Sequence, residues 1–543
     1  MINVFNVISP LLLKVRYRNR KDPFLYFRNI IKDEPCVPVD LDKGVILIAP
    51  IRVSPVSNLF EILLSKFFRL NGYDVKLLMC NQSVRCCENF NKFSKFKKLR
   101  CALCLKEQRR VSKYFNLETI NINDLISQSE RNEILNIVFQ RTFSKRIDYI
   151  YNGIDLYDQI ESGVMRYTLK SEIGKELHLI RGYAYTAFLF SKAASNIIKS
   201  YNISKVVTSH GMYSTWGAIT ETCNKYNIPF VVWGRGYIGQ GNLLFGLNSS
   251  YAKDFVKEDS SVFQDISLTE NKITTVLNYF SKKMDNSSKV DFINYYQGMK
   301  KDNSQTDDLH KQIASYKTKF GLFANIPWDG CVYKKTEHFP TIRFFTRKVL
   351  DWFVKNPDCL LIIRAHPAEV SSENAKETET FEEILRKECE VLPPNVIFVK
   401  PDSSITSYEV ARFSDAIILY GSTMSLELAI QRKIVIQGGQ NNVSFKNIIF
   451  DAITENDLYD YLDSVKQKEL IVTDEMYNNA LKYGYYWLSI RHVVDRTVVL
   501  NKLQFVEYLF SDLDSFLSNE TLNFVFNKII NNQRIIGDEI HTY

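Results

Sequence analysis

The sequence predicts an α/β protein of two Rossmann-like domains facing a cleft, each a parallel sheet with covering helices, followed by a helical carboxyl-terminal extension. Three observations predict it. Short apolar runs suited to buried strands recur along the chain, segments with helical apolar spacing separate them, and the alternation occurs twice, on either side of a polar stretch at 248–316. A chain of 543 residues also exceeds what one hydrophobic core organises.

Residues 1–43 read as an amino-terminal extension. Val4 to Val15 is apolar and Arg16, Arg18, Arg20 and Lys21 follow it, the reverse of the charge order in a secretory signal. The expectation is a cytoplasmic protein whose amino end rests on the membrane surface. The first domain, 44–247, opens as β-α-β: an apolar strand at 44–50, a helix at 58–70 carrying Leu59, Ile62, Leu63, Phe67 and Phe68, then a strand at 75–79. A basic, cysteine-bearing insertion near 80–113 interrupts it. An apolar stretch at 147–156, a long helix at 175–200, a strand at 205–209, a helix at 216–226 and a strand at 229–233 complete the domain. The segment 248–316 is rich in Lys, Asp, Asn and Ser and reads as a linker with a local helix at 273–280. The second domain, 317–454, has strands at 320–326, 360–364, 396–399, 416–419 and 433–436, with helices near 339–355, 373–389, 406–413 and 424–431. The remainder, 455–543, reads as a helical tail, part of which crosses back to the first domain.

Composition is that of an ordinary globular protein, 45% apolar and 24% charged, with a net charge of +8. No apolar run approaches the ~20 residues that span a bilayer. Neither helix-turn-helix spacing nor an aromatic RNP-like strand is present, which argues against a nucleic-acid partner. The positive charge concentrates at Arg85, Lys92, Lys95, Lys97, Lys98, Arg100, Lys106, Arg109, Arg110 and Lys113. That segment is either a solvated basic face or a contact for an anionic membrane or polymer. It also carries five of the ten cysteines, Cys80, Cys86, Cys87, Cys101 and Cys104. Cys101 and Cys104 form a C-x-x-C, so Cys80, Cys86, Cys101 and Cys104 are a candidate structural zinc set, with reduced thiols the alternative.

The chemistry concentrates at strand ends. Arg364 and His366 end one apolar run two residues apart, and Pro367 keeps His366 extended, so a forked cation and an imidazole can reach one oxyanion. Glu369 either orients His366 or is solvated. A second run ends in Gly421, Ser422 and Thr423 before a helix: the glycine permits close phosphate approach, and the hydroxyls can cap the helix. Glu427, one turn on, is placed for ribose hydroxyls, and Ser403 and Ser404 for a base pocket. In the first domain His210 ends a strand and is a candidate acceptor base, and Arg235 a candidate for an anionic acceptor or sugar carboxylate. Asp329 is a second candidate base and Trp328 a sugar platform. There is no Walker loop or H-E-x-x-H, and no Asp-x-Asp metal pair of the sort a single-domain sugar transferase needs, so a site using cations and a helix end, with no cofactor required for catalysis, is expected.

The ordered motifs Ser209-His210-Gly211, Asn325-x-x-Trp328-Asp329, Arg364-x-His366-Pro367-x-Glu369, Ser403-x-x-x-Ser407-Tyr408 and Tyr420-Gly421-Ser422-Thr423-x-x-x-Glu427 resemble the bacterial capsule polysaccharide biosynthesis family. That family is similar to capsular Kdo transferases and to His-Pro-motif sialyltransferases, and more distantly to CDP-glycerol polymerases. The resemblance spans 44–439. It implies a metal-independent GT-B glycosyltransferase that moves a sugar from a nucleotide donor, a CMP-linked ulosonate or a UDP- or CDP-linked sugar, to a glycan or lipid-linked glycan of a capsule or O-antigen. It also implies that Arg364, His366, Ser422, Thr423 and Glu427 bind the donor, with His210 on the acceptor side. CDP-polyol phosphotransfer and a non-catalytic role in glycan assembly are the alternatives.

Overall fold

Seven consecutive buried residues, Val45–Ile51, make the first strand, and such runs on both sides of a sheet are what parallel strands under two helix layers require. The computed structural model describes residues 21–238, 241–284, 303–328, 330, 333–371, 379–501 and 504–537. Over these residues the chain divides into two compact units. Unit 1 falls within Met1–Tyr167, Gly174–Tyr251 and His492–His541, and unit 2 within Thr168–Ile173 and Ala252–Arg491.

Unit 1 contains β1 (Val45–Ile51), β2 (Asp74–Met79), β3 (Glu118–Asn121), the small hairpin β4 (Ile150–Tyr151) and β5 (Ile154–Asp155), then β6 (Ile203–Ser209), β7 (Phe230–Arg235) and β8 (Asn242–Leu247). Unit 2 contains β9 (Thr318–Phe323), β10 (Cys359–Arg364), β11 (Val396–Val399), β12 (Ala416–Tyr420), β13 (Ile434–Gly439) and β14 (Phe450–Asp451). Unit 1 then resumes with β15 (Val493–Val494), β16 (Val498–Asn501) and β17 (Gln504–Tyr508).

The sheet of unit 2 runs β11-β10-β9-β12-β13-β14, parallel throughout. Numbered by appearance this is 3-2-1-4-5-6, the dinucleotide-fold order, with its switch point between β9 and β12. The sheet of unit 1 runs β15-β8-β7-β6-β1-β2-β3, parallel from β3 to β7, with antiparallel β8 and β15 on one edge. Its switch point lies between β1 and β6. Two Rossmann-like units in one chain are the composition of the GT-B class.

Each unit has its own core. In unit 1 the helix Leu59–Leu70 buries Leu59, Ile62, Leu63, Phe67 and Phe68 against the sheet. Each such side chain contributes roughly 1.5–3 kcal/mol on leaving water. In unit 2 the helix Ile342–Lys355 packs Phe345, Val349 and Phe353 on Phe320, Leu361 and Ile418.

Three regions differ from the sequence reading. The basic insertion folds as a 19-residue helix, Lys97–Phe115, whose buried face mixes Glu107 and Gln108 with Ala102, Leu105, Val111 and Phe115, so no clean apolar period marks it. The polar stretch after 248 is helical at Tyr251–Lys257, Glu270–Met284 and Asn303–Ile313, and from Ala252 its described residues belong to unit 2. The tail is not wholly helical: Glu455–Lys466 and Asp474–Ser489 belong to unit 2, whereas β15, the β16–β17 hairpin and the helix Glu520–Ile530 belong to unit 1. There Phe526 packs edge-on against Phe67 and tilted against Phe68, at 5.5 and 4.9 Å.

Candidate functional site

In unit 2 three loops meet at the carboxyl ends of β9, β10 and β12, beside the switch point where open α/β sheets take ligands. Asn325, two residues past β9, donates from Nδ2 to the Tyr420 carbonyl at 2.6 Å and so ties the ends of β9 and β12 together. Gly421 follows with φ +61, and a Cβ there would lie 2.6 Å from the Gln440 carbonyl oxygen and 2.9 Å from the Lys334 side chain. Only glycine fits, both for its dihedral and for its space. Lys334 is held in turn by its carbonyl, which accepts from Gln440 N at 2.7 Å. Behind the loop, the Ser422 carbonyl accepts from Ser425 Oγ and Asn441 Nδ2, and Gln437 is hydrogen-bonded to Ser425 and Ser444.

His366, past the end of β10, accepts from the Ala368 backbone N–H at Nδ1, 3.1 Å. That bond assigns its proton to Nε2 in the neutral ring. Burial, and then the charges of Lys334 and Arg364, hold its pKa down to about 3, so the ring is neutral at physiological pH. The neutral ring, with its proton on Nε2, therefore lies in the same electrostatic neighbourhood as Lys334.

Other predicted ligands are engaged elsewhere. Arg364 is 1% exposed, and its guanidinium donates to the carbonyls of Ala365, Lys400, Pro401 and Ser403 at 2.8, 2.6, 3.4 and 3.4 Å. It staples the loop after β11, correcting its expected role as a phosphate cation. Glu427 is buried between Tyr408 OH and Lys283 Nζ, each 2.7 Å away, so its carboxylate is already satisfied without a ribose. Ser403 and Ser404 both hydrogen-bond Gln305. Thr423 makes no capping bond, the Ser422 hydroxyl accepts from Met424 N, and the helix that follows, Met424–Ala429, is only six residues long. Trp328 is 8% exposed, too buried to serve as an open stacking platform. Glu369 accepts from Phe381 N at 3.4 Å while its own N–H reaches the His366 carbonyl, and burial raises its pKa to about 7. Asp329 lies outside the described residues.

Unit 1 carries a second constellation at its own switch point. His210, with φ +58, follows β6 and stacks on Trp216 at 5.1 Å, and the Arg52 guanidinium lies 4.7 Å from the Trp216 ring. Burial, then Arg52 and Arg166, lower the His210 pKa to about 3, which weakens it as a base in this arrangement. Arg52 donates to Asn89 at 2.8 Å, and Arg166 to the Glu88 carbonyl at 3.2 Å. The Glu88 carboxylate is held by Thr215 N and Oγ1, both 3.1 Å. Arg52, Glu88, Thr215 and Trp216 line a small pocket of about 30 Å³. Arg235, expected to bind an acceptor anion, is paired instead with fully buried Asp495 at 2.7 Å, tying β7 to the tail.

Cys80, Cys101 and Cys104 line that same pocket, but Cys86 does not, its Sγ lying instead against Gly182. Among the described residues no three His, Cys, Asp or Glu side chains are grouped to share a metal ion, so the zinc set does not assemble. The cysteines are free, and burial raises the thiol pKa of Cys86 and Cys101 to about 11.

Sequence reasoning missed Lys334, Arg52, Arg166 and Glu88. Lys334 follows the Trp328 turn as a Lys-Lys pair with no regular element around it. Arg52 stands directly after an apolar run, as Arg364 does, and that parallel was the available signal.

No protein-family model matches the chain, and no curated protein matches it in sequence. Among solved structures it is similar to the β-Kdo 2,4 transferase of Thermosulfurimonas dismutans KpsC, at 12% identity over 52% of this chain and 79% of that one, TM-score 0.31. It is also similar to UDP-GlcNAc 2-epimerase from Neisseria meningitidis bound to UDP-GlcNAc, at 9% identity over 81% and 95%, TM-score 0.25. A third is Anabaena Alr3699/HepE in complex with UDP-glucose, at 10% identity over 81% and 94%, TM-score 0.27. These scores add nothing to the strand order, on which the fold assignment rests.

Proposed function

We propose that the protein is a glycosyltransferase that takes its sugar from a nucleotide-activated donor, bound by unit 2 at the β9/β12 switch point, and passes it to a bacterial surface glycan. The observation that carries this reading is the junction of three strand ends: Asn325 locked to Tyr420, Lys334 packed on Gly421, and His366 held neutral with its proton on Nε2. A neutral N–H and a lysine cation suit a leaving phosphate, because both can hydrogen-bond the oxygen that gains charge as the glycosidic C–O bond breaks. The electron pair stays with the nucleotide phosphate, the acceptor oxygen bonds the anomeric carbon, and the acceptor proton goes to a base. With His210 so weakly basic, Asp329 is our candidate for that base. A CMP-linked ulosonate is the donor we favour, with UDP- and CDP-sugars next.

The test is a thermal-shift series with CMP, UDP, CDP and GDP, paired with a transfer assay. One nucleotide should raise the melting temperature in proportion to ln(1 + [L]/Kd). His366→Ala should lower kcat about 100-fold, the scale of one lost oxyanion donor. No nucleotide response at millimolar concentration, with transfer unaffected in His366→Ala, would refute the proposal.

A further inference from the structure

The turn that opens the helix Lys97–Phe115 breaks three local rules at once. Phe96 is its N-cap, with φ +54 and no capping side-chain bond, where Asn or Asp would both tolerate the dihedral and supply a capping oxygen. Its ring is 75% exposed. Lys97 and Lys98 then occupy the first helical turn, which holds no acidic residue, although the helix dipole favours acids there. Local choices that each oppose folding and coincide in one turn mark a surface kept for contact.

The neighbouring residues extend it. Phe93 is 44% exposed at the tip of a turn closed by Ser94 N to the Asn91 carbonyl at 3.0 Å and by Asn91 N to Ser94 Oγ at 2.8 Å. Lys92, Lys95, Lys98 and Arg100, next to the two phenylalanines in sequence, are exposed. The base beneath is firm: Lys92 N donates to the Tyr167 carbonyl, Lys97 Nζ to Tyr167 OH, and Phe90 is buried under the Arg100 guanidinium. From 85 to 113 the only acids are Glu88 and Glu107, and both are buried, so every exposed charge in the segment is positive. A solvated face needs no exposed phenylalanines, and a polyanion site needs cations alone. Two aromatic rings held out on a rigid turn and flanked in sequence by cations fit a bilayer, with the rings at the acyl boundary and the ammonium groups at anionic headgroups.

We propose that the 92–100 turn of unit 1 docks the protein on an anionic membrane surface. The proposal is independent of the glycosyltransferase reading.

The experiment is co-sedimentation of the full chain with phosphatidylcholine vesicles containing 0 or 30 mol% phosphatidylglycerol, at low and high salt. We expect binding to the anionic vesicles that salt weakens. Phe93→Ser/Phe96→Ser and Lys95→Glu/Lys98→Glu should each weaken it about tenfold or more. Thermal melts that match wild type establish that these variants fold; Phe96→Asn, which suits the left-handed cap, should fold better than wild type and still bind more weakly. Absence of vesicle binding overturns the proposal. So does binding that Lys95→Glu/Lys98→Glu abolishes but Phe93→Ser/Phe96→Ser leaves intact, particularly if a soluble polyphosphate competes for it, because that pattern describes a polyanion site.

Discussion

Arg364 and His366 stand two positions apart on one strand end, and the fold uses them for opposite purposes. The guanidinium turns inward to four carbonyl oxygens, while the imidazole is pinned at Nδ1 and carries its proton on Nε2. Arg364→Lys should therefore act on stability. It loses the planar fork that serves several carbonyls and should destabilise unit 2 by about 2–4 kcal/mol in denaturant unfolding, by leaving buried acceptors unpaired. Gly421→Ala should disable the site, because its Cβ meets the Gln440 carbonyl and its φ is positive; nucleotide response should disappear while the far-UV spectrum stays native. The titrations have opposite signs. His366 has a folded pKa of about 3 against an ordinary 6.5, so its contribution to stability is present above pH 6.5 and is lost as pH falls towards 3. Glu369 has a folded pKa of about 7 against an ordinary 4.5, so its contribution is present below 4.5 and is lost as pH rises through 7. Denaturation across pH 5–8 should show Glu369→Gln gaining on wild type as pH rises. A constant difference would count against the assignment. Both residues were visible in the sequence as types, but the partner each selects is not: Arg364 faces a loop 36–39 positions away, and Glu427 meets Lys283 from a segment that reads as a linker.

The strands were largely legible because each is a short apolar run, and β1, β6, β9, β10 and β12 lie within a few residues of where the pattern puts them. The helix Lys97–Phe115 was not, since its inward face pairs Glu107 with Arg110 and lets Gln108 bond the Cys104 sulfur, which erases the apolar period. β15 was missed for another reason: a two-residue edge strand carries little pattern of its own. The helix Glu520–Ile530 makes the clearest mechanical prediction. Its Phe526 packs edge-on or tilted against Phe67, Phe68 and Tyr73, so Phe526→Ala should cost unit 1 about 3–5 kcal/mol. Nucleotide-induced stabilisation of unit 2 should survive that change. A loss of less than 1 kcal/mol would mean that this helix does not brace the first core.

At the scale of the whole molecule, each unit places its convergent polar side chains at the switch point of its own sheet, Lys334 and His366 in unit 2 and Arg52, Arg166 and His210 in unit 1. The strand order explains this placement, since neighbouring strands diverge only there and leave room at their carboxyl ends. The division of labour proposed here makes unit 2 the nucleotide half. Hydrogen exchange on the full chain, with and without the nucleotide that gives the largest thermal shift, tests that claim most directly. Protection is predicted at 333–336, 364–368 and 420–425, and it should be lost in His366→Ala. Protection confined to the Arg52 and His210 segments of unit 1, with unit 2 unchanged, would contradict it.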